Sequence, residues 1–167
     1  MKITEKLSYN SQRQLLIAGN CVLENKAIAF KTVEFLKPLA EKLDVDLVFK
    51  IFEDLKKEFD VPVITDVHYP TELQEGVGEV FDILQIPAYL VMQTELVQTV
   101  AKIGKPVNLK KAQFLAPEGM ENVIKKVEST GNQSVILTER GTCFGYRDLV
   151  VDPRSFTVMK SFGHRVL

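Results

Sequence analysis

The sequence predicts an α/β fold of repeated parallel β/α units, an incomplete (β/α)8 barrel of the TIM type with about six units and the start of a seventh strand. Three observations lead there. Short apolar runs alternate with amphipathic helical stretches along the whole chain. Polar and charged residues gather directly after those runs, at Gly19-Asn20-Cys21, Lys50, Asp66-Val67-His68, Pro87-Ala88, Lys110-Lys111 and Glu139-Arg140-Gly141. Barrels of this kind keep their chemistry at the carboxyl ends of the strands. No Gly-rich dinucleotide loop follows the first run, as a dinucleotide-binding doubly wound sheet would require.

The elements follow in order. Leu15–Ala18 is the first strand. A helix from about Ala27 to Leu43 carries Ala29, Phe30, Val33, Leu36 and Leu43 near helical spacing. Leu47–Phe49 is the second strand, Ile51–Phe59 a short helix and Val61–Thr65 the third strand. Thr71–Gly76 begins another helix, before a fourth strand at Phe81–Gln85. Gln93–Ile103 is helical, Val107–Leu109 is the fifth strand, and Pro117–Ser129 is a helix with proline at its start. Ser134–Leu137 is the sixth strand, Pro153–Lys160 a helix, and Arg165–Leu167 the opening of the seventh strand. No composition shift or Pro/Gly/Ser linker divides residues 1–167, which read as a single partial barrel domain.

Composition narrows the function classes. Hydrophobic residues make up 46% of the 167, enough for a proper core, although a complete barrel takes about 250 residues. A net charge of −1 with acids and bases interspersed argues against an electrostatic nucleic-acid binder. No apolar run approaches the roughly 20 residues that cross a bilayer. The start of the chain, MKITEKLSYNSQRQ, lacks the apolar centre of a signal peptide. Two cysteines, Cys21 and Cys143, form no disulfide framework, which fits a reducing, cytoplasmic compartment.

Two places are short of chain. The second strand ends near Lys50 and IFEDLKKEFD begins at once. A parallel crossover must reverse direction twice, and the stretch to Val61 leaves no room for its first turn. At the other end, a sheet that stops at a seventh strand has an unpaired edge. Sequence missing at both places is the expectation.

The segments IAGNCVLEN, DVDLVFK, VITDVHYP, DILQIPAYL, QTELV, KPVNLKKAQFLAPEGM, STGNQSVILTERGTCFGY and LVVDPRSFTVMK occur in that order. Together they closely resemble the 3-deoxy-D-manno-octulosonate-8-phosphate (KDO-8-phosphate) synthases of Gram-negative lipopolysaccharide biosynthesis. The resemblance runs from about Leu16 to Lys160. The sister 3-deoxy-heptulosonate-phosphate synthases share the barrel and fit NLKKAQF and LQIPAYL less well.

The resemblance implies condensation of phosphoenolpyruvate with D-arabinose 5-phosphate. A carboxylate and two phosphates then need cations, because desolvated anions are matched by charge-assisted hydrogen bonds. By resemblance Arg140 and Lys110 hold phosphoenolpyruvate, with Gln113 and the backbone near Ala88 assisting. Lys50 lies between the two substrates, and Asp66 faces the aldehyde and any metal-bound water. Cys21 matches the class of members that use a divalent ion such as zinc, manganese or iron. The other metal ligands of that class have no counterpart in this chain. The resemblance further implies a homotetramer.

The remaining candidates read as structural. Lys111 points outward as a solvated or ion-paired residue, His68 packs behind the site, Cys143 packs, and His164 has no assigned role. Three departures weaken the sugar-phosphate half of the site. The loop with a second lysine and an Asn-Arg-Ser-Ser stretch is absent after Lys50, Met92 stands in place of an arginine, and Asn20 in place of a proline. Two rival readings therefore stand beside a synthase: a catalytically inactive relic of the fold, and a sister synthase taking another aldose phosphate.

Overall fold

In the computed structural model, residues 13–19, 25–50, 53–73 and 77–167 are described. Packing divides the chain into two units, Met1–Thr65 with Gly76–Ile83, and Asp66–Glu75 with Leu84–Leu167.

In the first unit, β1 (Leu15–Ala18) and β2 (Asp46–Lys50) pair in parallel, Leu15 opposite Asp46 and Ala18 opposite Phe49. β2 pairs in parallel with β3 (Val63–Asp66) through Phe49 and Lys50 opposite Val63 and Ile64. Helix α1 (Lys26–Lys42) crosses over between β1 and β2. It starts where the side chain of Asn25 accepts a hydrogen bond from Ala27 N at 2.7 Å, which satisfies one of the donors a helix leaves open. It stops in a Schellman turn: Val45 N donates to Ala40 O and Asp44 N to Glu41 O, with Asp44 left-handed at φ 54°. The buried face of α1, Ala29 and Val33, packs with Phe49 and Val61. Helix α2 (Glu53–Phe59) adds Phe59, whose ring meets that of Phe30 edge-on at 5.5 Å. The short α3 (Val77–Val80) completes this unit.

The second unit repeats the pattern. β4 (Ile83–Ile86), β5 (Val107–Lys110), β6 (Val135–Thr138) and the terminal β9 (Arg165–Val166) pair in parallel in that order, with Val107 opposite Val135 and Lys110 opposite Thr138. Helix α4 (Thr94–Lys102) buries Leu96, Val97, Val100 and Ala101; α5 (Met120–Glu128) buries Met120, Val123, Ile124 and Val127. Both sets follow the i, i+3, i+4 spacing of one apolar stripe. Helix α6 (Arg154–Ser161) leads to β9. Asn132 ties the turn before β6: its Nδ2 donates to Ala101 O and Lys105 O, and its Oδ1 accepts from Ser134 N.

The α/β class and the incomplete TIM-barrel type are as predicted, including a strand at Arg165. Several details differ. Of the stretch Thr71–Gly76 expected to begin a helix, residues 74–76 lie outside the described residues, and the part before them is a 3-10 turn, Pro70–Glu72, in which the Glu72 carboxylate folds back onto the N–H groups of His68 and Tyr69. The third strand begins at Val63, not Val61, since Pro62 has no N–H to give a ladder. Unforeseen altogether is an antiparallel hairpin after β6, β7 (Thr142–Phe144) with β8 (Asp148–Val150), turned at Gly145 with φ 76°. The suspected shortfall after Lys50 concerns residues 51 and 52, which lie outside the described residues.

Candidate active site

Successive residues of a strand face opposite sides, so Asn108 and Lys110 share one face of β5. On that face a chain of side-chain hydrogen bonds links four residues of the second unit. Thr138 Oγ1, ending β6, donates to Asn108 Oδ1 at 2.7 Å, and Asn108 Nδ2 donates to Gln85 Oε1 of β4 at 2.8 Å. Gln85 Nε2 donates to Asp66 Oδ1, and the Lys110 ammonium lies 3.8 Å from the same oxygen. Asn108 and Gln85 are buried, so each must be satisfied from within the protein. The order is self-consistent. A carboxylate only accepts, so Gln85 turns its amide nitrogen to Asp66 and its oxygen to Asn108, whose own oxygen takes the threonine hydroxyl. Asp66 and Lys110 are thereby set at the carboxyl ends of their strands.

Arg140 follows β6 by two residues, beyond Thr138, the strand partner of Lys110. Its side chain is exposed and, among the described residues, makes no hydrogen bond or ion pair. Two cations therefore stand at the same ends of two neighbouring strands, one of them with uncommitted donors. Gln113 is buried, and its side-chain oxygen has no partner among the described residues. Its backbone oxygen accepts from Cys143 N. Ala88 is buried in the 3-10 turn Ala88–Leu90 that follows β4.

Beneath Arg140 lies a buried ion pair. The side chains of Lys111 and Glu139 are only 1% and 2% exposed, with Nζ 3.5 Å from Oε1. Lys111 therefore does not point to solvent as expected; it lies on the same face of its strand as the buried Leu109, and the ion-paired alternative holds. Its ammonium also donates to Ala112 O, Leu115 O and Thr142 Oγ1. Glu139 Oε1 accepts from the backbone N–H groups of Arg140 at 3.0 Å and Gly141 at 2.7 Å.

Asp66, Ala88, Lys110, Gln113 and Arg140 all fall in the second unit, at or just after strand ends. Lys50 ends β2 in the first unit, with Gly19 against its backbone: a Cβ on Gly19 would stand 2.6 Å from Lys50 O. Cys21 and Asn20 lie outside the described residues. Among those described, no group of three or more His, Cys, Asp or Glu is arranged to hold a metal ion. Two readings are corrected. Cys143 is exposed on β7, because both faces of the hairpin look outward, and His68 is exposed, with only its backbone tied down by Glu72. His164, to which no role was assigned, has its Nε2 3.8 Å from Glu128. Burial holds the His164 imidazole below its ordinary pKa, with Glu128 opposing. Gln85, Asn108 and Thr138 were not singled out from sequence, although polar residues inside the apolar runs DILQI and VNLK were the available signal.

Residues 49–167 match the DAHP synthetase I family. A 2-dehydro-3-deoxyphosphooctonate aldolase of Hahella chejuensis is 42% identical over 181 residues, covering 94% of this chain and 64% of the relative. One from Bartonella quintana is 43% identical over 177 residues, covering 91% and 63%. A third, from Bartonella tribocorum, is 42% identical over 192 aligned positions, covering 100% of this chain and 68% of the relative. The chain thus spans a little under two thirds of the length of the first two relatives. As the third alignment is longer than the 167 residues here, that relative has positions within the matched span with no counterpart in this chain.

Proposed function

Because the chain belongs to the DAHP synthetase I family, we propose that it is a KDO-8-phosphate synthase, condensing phosphoenolpyruvate with D-arabinose 5-phosphate. The relatives' names support the sugar product, and the two cations at neighbouring strand ends, Lys110 and Arg140, carry the phosphoenolpyruvate half of the reading. The guanidinium of Arg140 forms two parallel bonds to a phosphate or carboxylate, while Lys110 adds a point charge already steered by Asp66. Gln113 assists with its amide N–H groups, since ionised phosphoenolpyruvate only accepts, and the backbone at Ala88 assists beside it.

In the reaction, C3 of phosphoenolpyruvate forms a bond to the aldehyde carbon, whose oxygen gains a proton. The cation left at C2 takes water, and the C2–O bond to phosphate then breaks to give the ketone and inorganic phosphate. Lys110 and Arg140 hold the enol ester in place and accompany the phosphate as it leaves. Asp66 faces the aldehyde, and Lys50 is assigned the position between the substrates on the resemblance alone. Cys21 is proposed as one ligand of a divalent ion, zinc, manganese or iron. A cytoplasmic location is proposed with the chemistry; no helix among the described residues is long and apolar enough to cross a membrane. A homotetramer is proposed as well, and the exposed Phe144, Tyr146, Leu149 and Val150 on the hairpin support a partner surface.

One observation favours an inactive relic as second reading: relatives carry positions inside the matched span that this chain lacks. Phosphate release from phosphoenolpyruvate, measured with arabinose 5-phosphate and Mn²⁺ or Zn²⁺, separates the two. Aldose-dependent release establishes the synthase. A folded chain that shows no release supports the relic and removes the synthase.

A further inference from the structure

Glu139 and Lys111 occupy the wrong side of their strands for substrate. Alternation puts Asn108, Lys110 and Thr138 on one face of β5 and β6 and the fully buried Leu109 and Leu137 on the other; Lys111 and Glu139, one residue past the two strand ends, are buried as well, with side chains 1% and 2% exposed. Charges so placed need a reason, because burying them costs more than an apolar pair would.

The contacts supply one. A single oxygen, Glu139 Oε1, accepts two successive backbone N–H groups, those of Arg140 and Gly141, and also meets the Lys111 ammonium. Lys111 in turn binds two carbonyls of the segment after β5 and the hydroxyl of Thr142. The bend that carries Arg140 is therefore fixed from inside by one carboxylate. Gly141, buried with φ 89°, turns the chain away, with Leu149 Cβ 3.2 Å from where a side chain would begin. Arg140 itself reaches out with no side-chain partner among the described residues, so its backbone is the part of it that those residues hold.

We infer that Glu139, anchored by Lys111, is a positioning residue that holds the Arg140 backbone so that the guanidinium is already aimed at its anion. Its contribution is to affinity through Arg140, not to a contact with substrate. This rests on the reading that Arg140 grips phosphoenolpyruvate.

The test separates the acceptor from the charge. In Lys111→Met/Glu139→Gln the ion pair is gone but a carbonyl oxygen remains for the two N–H groups. In Lys111→Met/Glu139→Leu the acceptor is lost as well. Calorimetric titration with phosphoenolpyruvate is expected to show the first within about twofold of wild type and the second weaker by on the order of tenfold. In an Arg140→Ala background the two pairs bind alike. Equal affinities of the two pairs with Arg140 present, or an undiminished difference with it absent, overturn the inference. If Arg140→Ala alone leaves affinity unchanged, the phosphoenolpyruvate reading falls and takes this inference with it. Amide exchange in the wild-type protein serves where the leucine variant does not fold. The Arg140 and Gly141 amides are expected to be protected, and exchange at open-loop rates contradicts the proposal.

Discussion

Replacing Asn108 with Leu removes the middle link of the chain Thr138–Asn108–Gln85–Asp66 at nearly constant volume. Gln85 Oε1 then loses its 2.8 Å donor and, being buried, finds no water in exchange. Leaving such a group unsatisfied costs about 1–3 kcal/mol. The Thr138 hydroxyl loses its 2.7 Å acceptor but is only half-buried and rotates to solvent, adding about 0.5 kcal/mol. The apolar leucine returns roughly 1 kcal/mol through burial. The net loss is about 0.5–2.5 kcal/mol, on the order of 1 M in the urea midpoint at a slope of about 1–3 kcal/mol per molar. Far-UV circular dichroism is the suitable probe, as the chain has no tryptophan. Thr138→Val is the control: it cuts only the end of the chain and is expected to cost about 1 kcal/mol or less. An unchanged midpoint for Asn108→Leu, or equal losses in the two variants, refutes the idea that these side chains act as one directed series.

Other outcomes follow from single features. Gly19→Ala forces a Cβ to within 2.6 Å of Lys50 O at a residue with φ 145°; a loss of at least about 1–3 kcal/mol is expected, and an unaltered melting temperature contradicts the close approach. Asp44→Gly places glycine at the left-handed end of α1, where φ is 54°. It also removes an acid from a helix C-terminus, while the exposed ion pair of Asp44 with Arg13 at 3.0 Å is lost at a cost of about a few tenths of a kcal/mol. Stability should rise by about 0.5 kcal/mol in urea titrations, and a fall that persists in an Arg13→Ala background contradicts the Schellman reading. His164 is held below its ordinary value of 6.5 chiefly by burial. The unfolded chain therefore binds the proton first as pH falls, and stability present above about pH 6.5 declines on the acid side. His164→Gln should flatten that decline between about pH 7 and pH 5 in thermal melts; an unchanged slope removes His164 as the cause.

The strands were legible because parallel strands covered on both faces read as continuous apolar runs: Val48-Phe49, Ile83-Leu84 and Val135-Ile136-Leu137 are all fully buried. The helices were legible from their stripes, and their ends less so, since caps such as Asn25 and the turn at Asp44 depend on local geometry. The hairpin was hidden for the opposite reason. Every residue of Thr142–Phe144 and Asp148–Val150 is exposed, so no one-sided pattern marks it. Of two adjacent lysines, nothing local says which is buried. The answer lies in alternation: Lys111 has the parity of Leu109, and Glu139 that of Leu137, so the pair was readable once strand phase was fixed. Arg140 and Lys110 were found because their motifs are distinctive, whereas Gln85 and Asn108 were overlooked as members of apolar runs.

The most direct trial of the two-cation site is equilibrium titration of phosphoenolpyruvate into the wild-type chain, Lys110→Met and Arg140→Ala. Because the Arg140 side chain is exposed, losing either cation should cost about 1.5–3 kcal/mol, the range for hydrogen bonds to charged groups, which weakens binding roughly 10- to 100-fold. Affinity that is the same in all three proteins, or absent from the wild type, means these two side chains do not form the phosphoenolpyruvate site.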